Sequence, residues 1–392
     1  MSLRVLLGMV LIATVTAPAA ATPVVPTSDD QVLERLPFAP GDPVLRKLRT
    51  LNGQLTHTPR NLPLAVMVAQ GYAELGRITG DPRYAGYAQA ALSPWWDLER
   101  APQEVLVLRA ALRQRMHQFD LALADLAAVL TANPRNVQAR LMRAAVKQVQ
   151  GAYAEAGEEC RALQGLTEKL VWTACLANVN GVTGRLRESY EQLRAVFLRY
   201  PVAEARVRSW VLISLAEMAT RAGTVPEGDA HFRAALAVDP ADYYTLGAYA
   251  DYLLDNGRPE EVLSLLRDKT AADPLLLRYA LALQARNAKE LLAEVEQLRD
   301  RFAASRLRGD RVHLREEARF TLHLLNTPQA ALELAQENWQ VQKEPADVRI
   351  LLEAALAAGD TGVIGAVTDW VKNSRLEDVQ LSRLISRTRD PS

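Results

Sequence analysis

The chain has 392 residues, 49% hydrophobic and 23% charged, with 46 Lys and Arg against 46 Asp and Glu. This is globular rather than disordered composition, and the balanced charge excludes a nucleic-acid binder resting on bulk positive charge. Two cysteines exclude a disulfide-dense small fold and any cysteine-rich metal site.

The first segment reads as an address. Met1-Ser2-Leu3-Arg4 carries one positive charge, Val5 to Val15 is apolar, and Ala19 and Ala21 fit the small-x-small pattern of a secretory cleavage site. The apolar run is too short to span ~30 Å of hydrocarbon. The pattern predicts a signal peptide over 1–21, cleaved after Ala21; an uncleaved N-terminal anchor is the alternative. Absence of a cysteine near the cleavage site argues against a lipoprotein. The mature chain is expected to be exported, periplasmic or else secreted. Residues 22–41, with Pro23, Pro26, Pro37 and Pro40, read as an irregular leader. No later apolar stretch of membrane-spanning length is free of charge.

Helical periodicity begins at Asp42-Pro43, a favourable helix start, and continues through Leu45, Leu48, Leu51 and Leu55. A longer period, of about 34 residues, follows. Ala110 and Ala144, Phe119 and Tyr153, and Ala122 and Ala156 are each one such interval apart. So are Ala216 and Ala250, Gly223 and Gly257, and Pro240 and Pro274. Two blocks holding one period at several positions mark a repeat array. Period-two alternation, the mark of half-buried strands, is essentially missing.

The period and its residues resemble the tetratricopeptide repeat, a helix-turn-helix unit of about 34 residues. Leu215-Ala216, Gly223, Phe232, Ala235-Leu236 and Pro240 carry the best match. The resemblance is good over 103–274 and looser over 42–94, where Gly76 and Pro94 remain and the turn at Ile78–Arg83 is lengthened. It implies an all-α, right-handed helical solenoid of stacked antiparallel helix pairs. Repeats extend over 42–274; degenerate helix pairs and a solvating C-terminal cap fill 275–388. Three departures stand out. Arg109 and Arg143 occupy positions the family fills with apolar residues, and Gly228 replaces the second-helix alanine.

In that family the first helices line a concave groove. Carried over by position, the groove residues are Gln114, Gln148, Asn178, Trp210, Glu217, Tyr244 and Asp251, with Arg113 and Lys147 beside them. A polar groove with two aromatics suits an extended peptide; an ordinary solvated face is the alternative. Cys160 and Cys175 fall on helices expected to pack side by side, so an exported chain would join them as a disulfide; two buried free thiols are the other reading. Arg308-Gly309-Asp310 spells an integrin-type tripeptide by chance, amid Arg306, Arg311, Arg315 and Arg319 on what reads as a solvated face.

His57, His117, His231, His313 and His323 show no metal-ligand spacing, and no nucleophile or phosphate-loop motif occurs. His117 stands at a repeat turn, where the family has glycine. No cofactor is expected. Two function classes remain. The first is a non-catalytic scaffold in the periplasm or outside the cell, binding a protein or peptide partner of the cell envelope on its concave face; a transient assembly chaperone is its variant. The second is an envelope enzyme or polysaccharide-handling accessory protein on a helical frame, which a deep pocket with clustered carboxylates would favour.

Overall fold

The computed structural model describes Ser28 and residues 42–389, so the expected signal peptide and the rest of the leader lie outside the described residues. The described chain is an all-α helical repeat. It opens on α1 (Pro43–His57). The Asp42 carboxylate accepts the backbone N–H of Val44 and Leu45 at 2.9 and 3.1 Å, and Pro43 occupies the first helical turn, where no N–H partner is needed.

Helix pairs follow in sequence. The first joins α2 (Leu62–Thr79) to α3 (Arg83–Ala91), and a single turn, α4 (Ser93–Trp96), leads out of it. Next come α5 (Gln103–Arg115) with α6 (Phe119–Ala132), and α7 (Val137–Val149) with α8 (Tyr153–Arg161). The middle holds α9 (Lys169–Asn180) with α10 (Leu186–Phe197), α11 (Ala205–Ala222) with α12 (Val225–Val238), and α13 (Tyr243–Asp255) with α14 (Pro259–Leu266). The last third keeps the plan in α15 (Asp273–Ala285) with α16 (Leu291–Leu307), α17 (Leu314–His323) with α18 (Pro328–Val341), and α19 (Pro345–Ala358) with α20 (Thr361–Ser374). A final helix, α21 (Val379–Arg389), closes the described chain.

Each pair turns on one residue in the left-handed region. Six are glycines: Gly80, Gly151, Gly184, Gly223, Gly257 and Gly359, with φ between 67° and 85°. The other three are His117, Asn287 and Asn326, at φ 54°, 51° and 52°. Asn and His are among the few side-chain-bearing residues that adopt this conformation readily. In the first pair the turn belongs to Gly80; Gly76 lies inside α2, with Tyr84 Cβ 3.3 Å from where its own Cβ would stand.

The departures from the repeat have packing causes. Arg109 and Asp125 are 4% exposed each and form a two-pronged pair, Nη2 to Oδ1 at 2.6 Å and Nε to Oδ2 at 3.0 Å. Arg143 pairs with Glu159 one repeat later. In both units the acid follows the arginine by the same interval, 16 residues, so a charge pair, buried in the first unit and half-buried at Arg143 in the second, replaces an apolar contact between first and second helix. Ala177 and Leu193, at the same spacing and both buried, restore the apolar version in the next unit. Gly228 makes room for Tyr252: a Cβ there would meet the ring at 3.1 Å, and the Tyr252 hydroxyl donates to the Val225 carbonyl at 2.6 Å.

The stack curls until later helices meet earlier turns. Gly80 faces Tyr243 and Ala272; Gly151 lies 3.1 Å, measured from an ideal Cβ, from the Lys343 side chain; Gly184 lies 2.8 Å from Arg375 Cβ in the same sense. Gly223 meets Val379. Hydrogen bonds seal these contacts: Lys343 N–H to the Val149 carbonyl at 2.7 Å, Tyr153 hydroxyl to the Lys343 carbonyl at 3.2 Å, and Leu186 N–H to Glu377 at 2.7 Å. The turns of the early pairs therefore form an edge on which the last third of the chain rests. α21 is part of that packing rather than a purely solvating cap, since Leu381 is buried in the C-terminal core.

Candidate functional site

Curling encloses a lumen. Its cavity is about 950 Å³ and is lined chiefly by first helices of successive pairs. Of the groove positions named from sequence, Gln148, Asn178, Glu217, Tyr244 and Asp251 line it. Arg113, Gln114, Lys147 and Trp210 are not among its lining residues. Arg113 is committed to Asp125 at 2.7 Å and stacks over Trp96. Trp210 packs against the cores around α9 and α11. The groove is thus the inner face of a curled stack, and the stripe read from sequence enters it only in part.

Four of these five lining residues already have partners. Asn178 donates to the Ser214 hydroxyl at 3.0 Å. The Tyr244 hydroxyl donates to Glu217 Oε1 at 2.6 Å. Asp251 accepts from Arg278 at 2.7 Å and from Arg319 at 2.9 Å. Tyr244 is 49% exposed, but that surface faces the lumen, with protein on the far side.

Arg315 and Arg319 turn inward, not onto a solvated face. Ion pairs join first helices that are not neighbours in the stack: Arg319 of α17 to Asp251 of α13, and Arg349 of α19 to Asp255 of α13 at 2.7 Å. Sequence reasoning missed this role. The signal was present as charged doublets four residues apart: Glu217 with Arg221, Asp251 with Asp255, Arg315 with Arg319, Arg349 with Glu353. The second doublet follows the first at one repeat length, and the fourth follows the third at the same interval. Such doublets are ordinary on a solvated helix, so only the curvature shows that they face one another.

Burial sets the charge states. It pushes the Glu217 carboxyl up. The Glu217 charge and burial push the Tyr244 hydroxyl well above its usual range. Burial alone would raise Asp251 and Glu316, but the arginines around them prevail: Arg278 and Arg319 hold Asp251 well below the usual carboxylate range, and Arg315 and Arg278 hold Glu316 at about 2. Asp347, beside Glu344 and Arg315, goes the other way, pushed up by burial to about 6. His117 is lowered by burial to about 4.

Elsewhere, Cys160 and Cys175 form a disulfide with Cα atoms 5.5 Å apart, joining α8 to α9. The Arg308–Asp310 tripeptide forms the turn after α16, with Gly309 at φ 70°. No group of His, Cys, Asp and Glu among the described residues is arranged to hold a metal ion. No described helix is long and apolar enough to cross a membrane.

The lumen, the left-handed turns and the succession of helix pairs define the class: a helical repeat protein of tetratricopeptide-like architecture. The chain matches no protein family and no curated protein. Among solved structures it is similar to a tetratricopeptide repeat protein from Parabacteroides merdae, at 13% identity and a TM-score of 0.34, covering 74% of this chain and 98% of that one. It is also similar to yeast Tom70, at 11% identity and 0.32, covering 88% and 91%, and to the TPR domain of P58(IPK), at 16% and 0.23, covering 82% and 97%.

Proposed function

We propose that the protein is an exported, non-catalytic scaffold that holds an extended peptide segment of a cell-envelope partner in its lumen. The observation that carries this is the lumen itself: about 950 Å³, lined by amide, hydroxyl and charged side chains from successive first helices. That volume lies within the range of specific ligand sites, and convergent polar groups on rigid helices fix a ligand's orientation. Export accounts for the Cys160–Cys175 disulfide, which oxidising compartments preserve.

The test is in-cell crosslinking of the tagged chain, with mass spectrometry of what co-purifies. The comparison variant is Gln148→Ala with Tyr244→Ala, because neither residue anchors an ion pair. A single envelope protein recovered with the parent and lost with the variant, at unchanged helicity, supports the reading. Equal recovery from both removes the lumen as the site.

A second reading, an envelope enzyme or polysaccharide-handling protein, draws support from one feature. The lumen brings carboxylates together, and burial raises Glu217 and Asp378 among those that line it. Turnover of an envelope polysaccharide that Glu217→Gln abolishes would establish it; a screen without turnover would leave the scaffold.

A further inference from the structure

Arg221 stands apart from the other lumen arginines. Arg278, Arg315, Arg319 and Arg349 are each paired with carboxylates. Arg221 has no ion pair and no hydrogen bond among the described residues, and its buried Nε lacks any partner. The space for it is built. Gly181 lies beside the guanidinium, where a Cβ would stand 3.3 Å from Nη2.

One turn earlier on α11, Glu217 lines the same cavity. Glutamate four residues before arginine is the order that pairs readily on an exposed helix. Here the two make no ion pair: Glu217 Oε1 accepts the Tyr244 hydroxyl at 2.6 Å, and Oε2 has no hydrogen-bond partner among the described residues. Burial disfavours both charges, raising the glutamate and lowering the arginine. Asp378 also bears on Arg221 electrostatically but makes no ion pair with it; its Oδ1 accepts the backbone N–H of Gln380 and Leu381 at 2.8 and 3.1 Å. Tyr153 and Tyr244 line the cavity beside the pair.

We propose that Glu217 and Arg221 form a two-point receptor in the lumen for a small zwitterion of the α-amino-acid class, Arg221 taking the carboxylate and Glu217 the ammonium. The two residues are one helical turn apart, about 6 Å along the axis at about 1.5 Å per residue. A ligand whose two charges are separated by a few bonds bridges that interval with charge-assisted hydrogen bonds of about 2.8 Å at each end. It neutralises two buried charges at once, which a ligand with one charge cannot do. The site goes beyond capture of a protein segment, since an internal stretch of polypeptide carries no such charge pair.

The experiment is isothermal titration of the purified chain with each of the twenty free amino acids. For the strongest binder, its N-acetyl and carboxamide derivatives follow. At least one amino acid binds, and each derivative binds at least about tenfold more weakly, since each removes one charge-assisted contact. Arg221→Gln and Glu217→Gln weaken binding by a similar factor, with helicity and unfolding midpoint compared in parallel. Arg221→Lys keeps the charge and retains part of the affinity. No binding by any amino acid, a derivative that binds as tightly as its parent amino acid, or binding unaffected by either variant overturns the proposal. The derivative comparison uses the parent chain alone, so it stands even if a variant fails to fold. A negative titration leaves partner crosslinking untouched, so the two readings fail separately.

Discussion

Arg77 Nη1 donates to Asp242 Oδ1 at 2.7 Å across 165 residues of sequence. The same guanidinium reaches Asp239 at 3.1 Å and Glu74 at 2.9 Å. One arginine at the end of α2 thus clasps the start of α13, and the superhelix returns to its own beginning. Asp242 is also the N-cap of α13, accepting the Thr245 N–H at 2.9 Å. Arg77→Ala removes the clasp without emptying the cap. We expect a loss of about 1–2 kcal/mol in urea unfolding, at the low end for charged hydrogen bonds because Arg77 is about one-third exposed. Small-angle scattering should show a larger radius of gyration. An unchanged radius and midpoint would mean that closure does not depend on Arg77.

Glycine at the turns has two separate causes, and two variants divide them. Gly184→Ala meets both left-handed backbone and Arg375 Cβ at 2.8 Å, whereas Gly257→Ala meets only the backbone, with nothing within 4 Å. Gly257→Ala should cost about 1 kcal/mol and Gly184→Ala clearly more. Equal losses in chemical denaturation would show that the last third does not rest on the Gly184 turn.

The repeat period made the helix pairs legible through 103–274, because turn glycines and small first-helix residues recur at fixed offsets. In the tail the pairs persist, but Asn287 and Asn326 take the place of glycine, and a glycine-centred pattern passes over them. Arg109 and Arg143 looked like faults in the pattern until the acids on the following helices, Asp125 and Glu159, showed an ion pair in each unit. The groove stripe was legible by position. What sequence could not show is its curvature. Whether Asp251 faces solvent or Arg319, 68 residues later, depends on small rotations summed over several pairs.

Asp251 is consequently a structural residue. Asp251→Asn leaves Arg278 and Arg319 facing each other without their shared carboxylate. The expected loss is roughly 2–3 kcal/mol, below that of a fully buried pair because the Asp251 side chain is 27% exposed. An unfolding midpoint within error of the parent would contradict this, and would return Asp251 to the set of free groove residues.

His117 gives stability a pH dependence of known sign. Burial lowers it to about 4, against about 6.5 in an unfolded chain. As pH falls from 6.5 towards 4, the unfolded chain takes up a proton that the folded chain refuses, so folding weakens. His117→Asn suits the left-handed turn and has no such proton. Relative to that variant, the parent should lose on the order of 1–2 kcal/mol between pH 7 and pH 5. Parallel curves would mean that the histidine titrates normally. Asp347, raised to about 6, contributes the opposite slope between about 4 and 6 in both proteins, so the difference isolates His117.

Reduction should loosen the α8–α9 junction. The disulfide closes 15 residues, for which chain entropy gives about 3 kcal/mol. Cys160→Ser with Cys175→Ser should unfold at lower urea by that amount, and reductant should lower the parent to match. A parent insensitive to reductant would show that the bond does not form.

The lumen as the place where a partner is held is tested most directly by photo-crosslinking in cells. A photoreactive residue placed at Gln148 lines the cavity; one placed at Leu292, 76% exposed on α16, does not. An adduct with one envelope protein from position 148 and none from position 292 is the predicted result. That adduct from position 292 with none from 148 would place recognition on the outer surface and contradict the account.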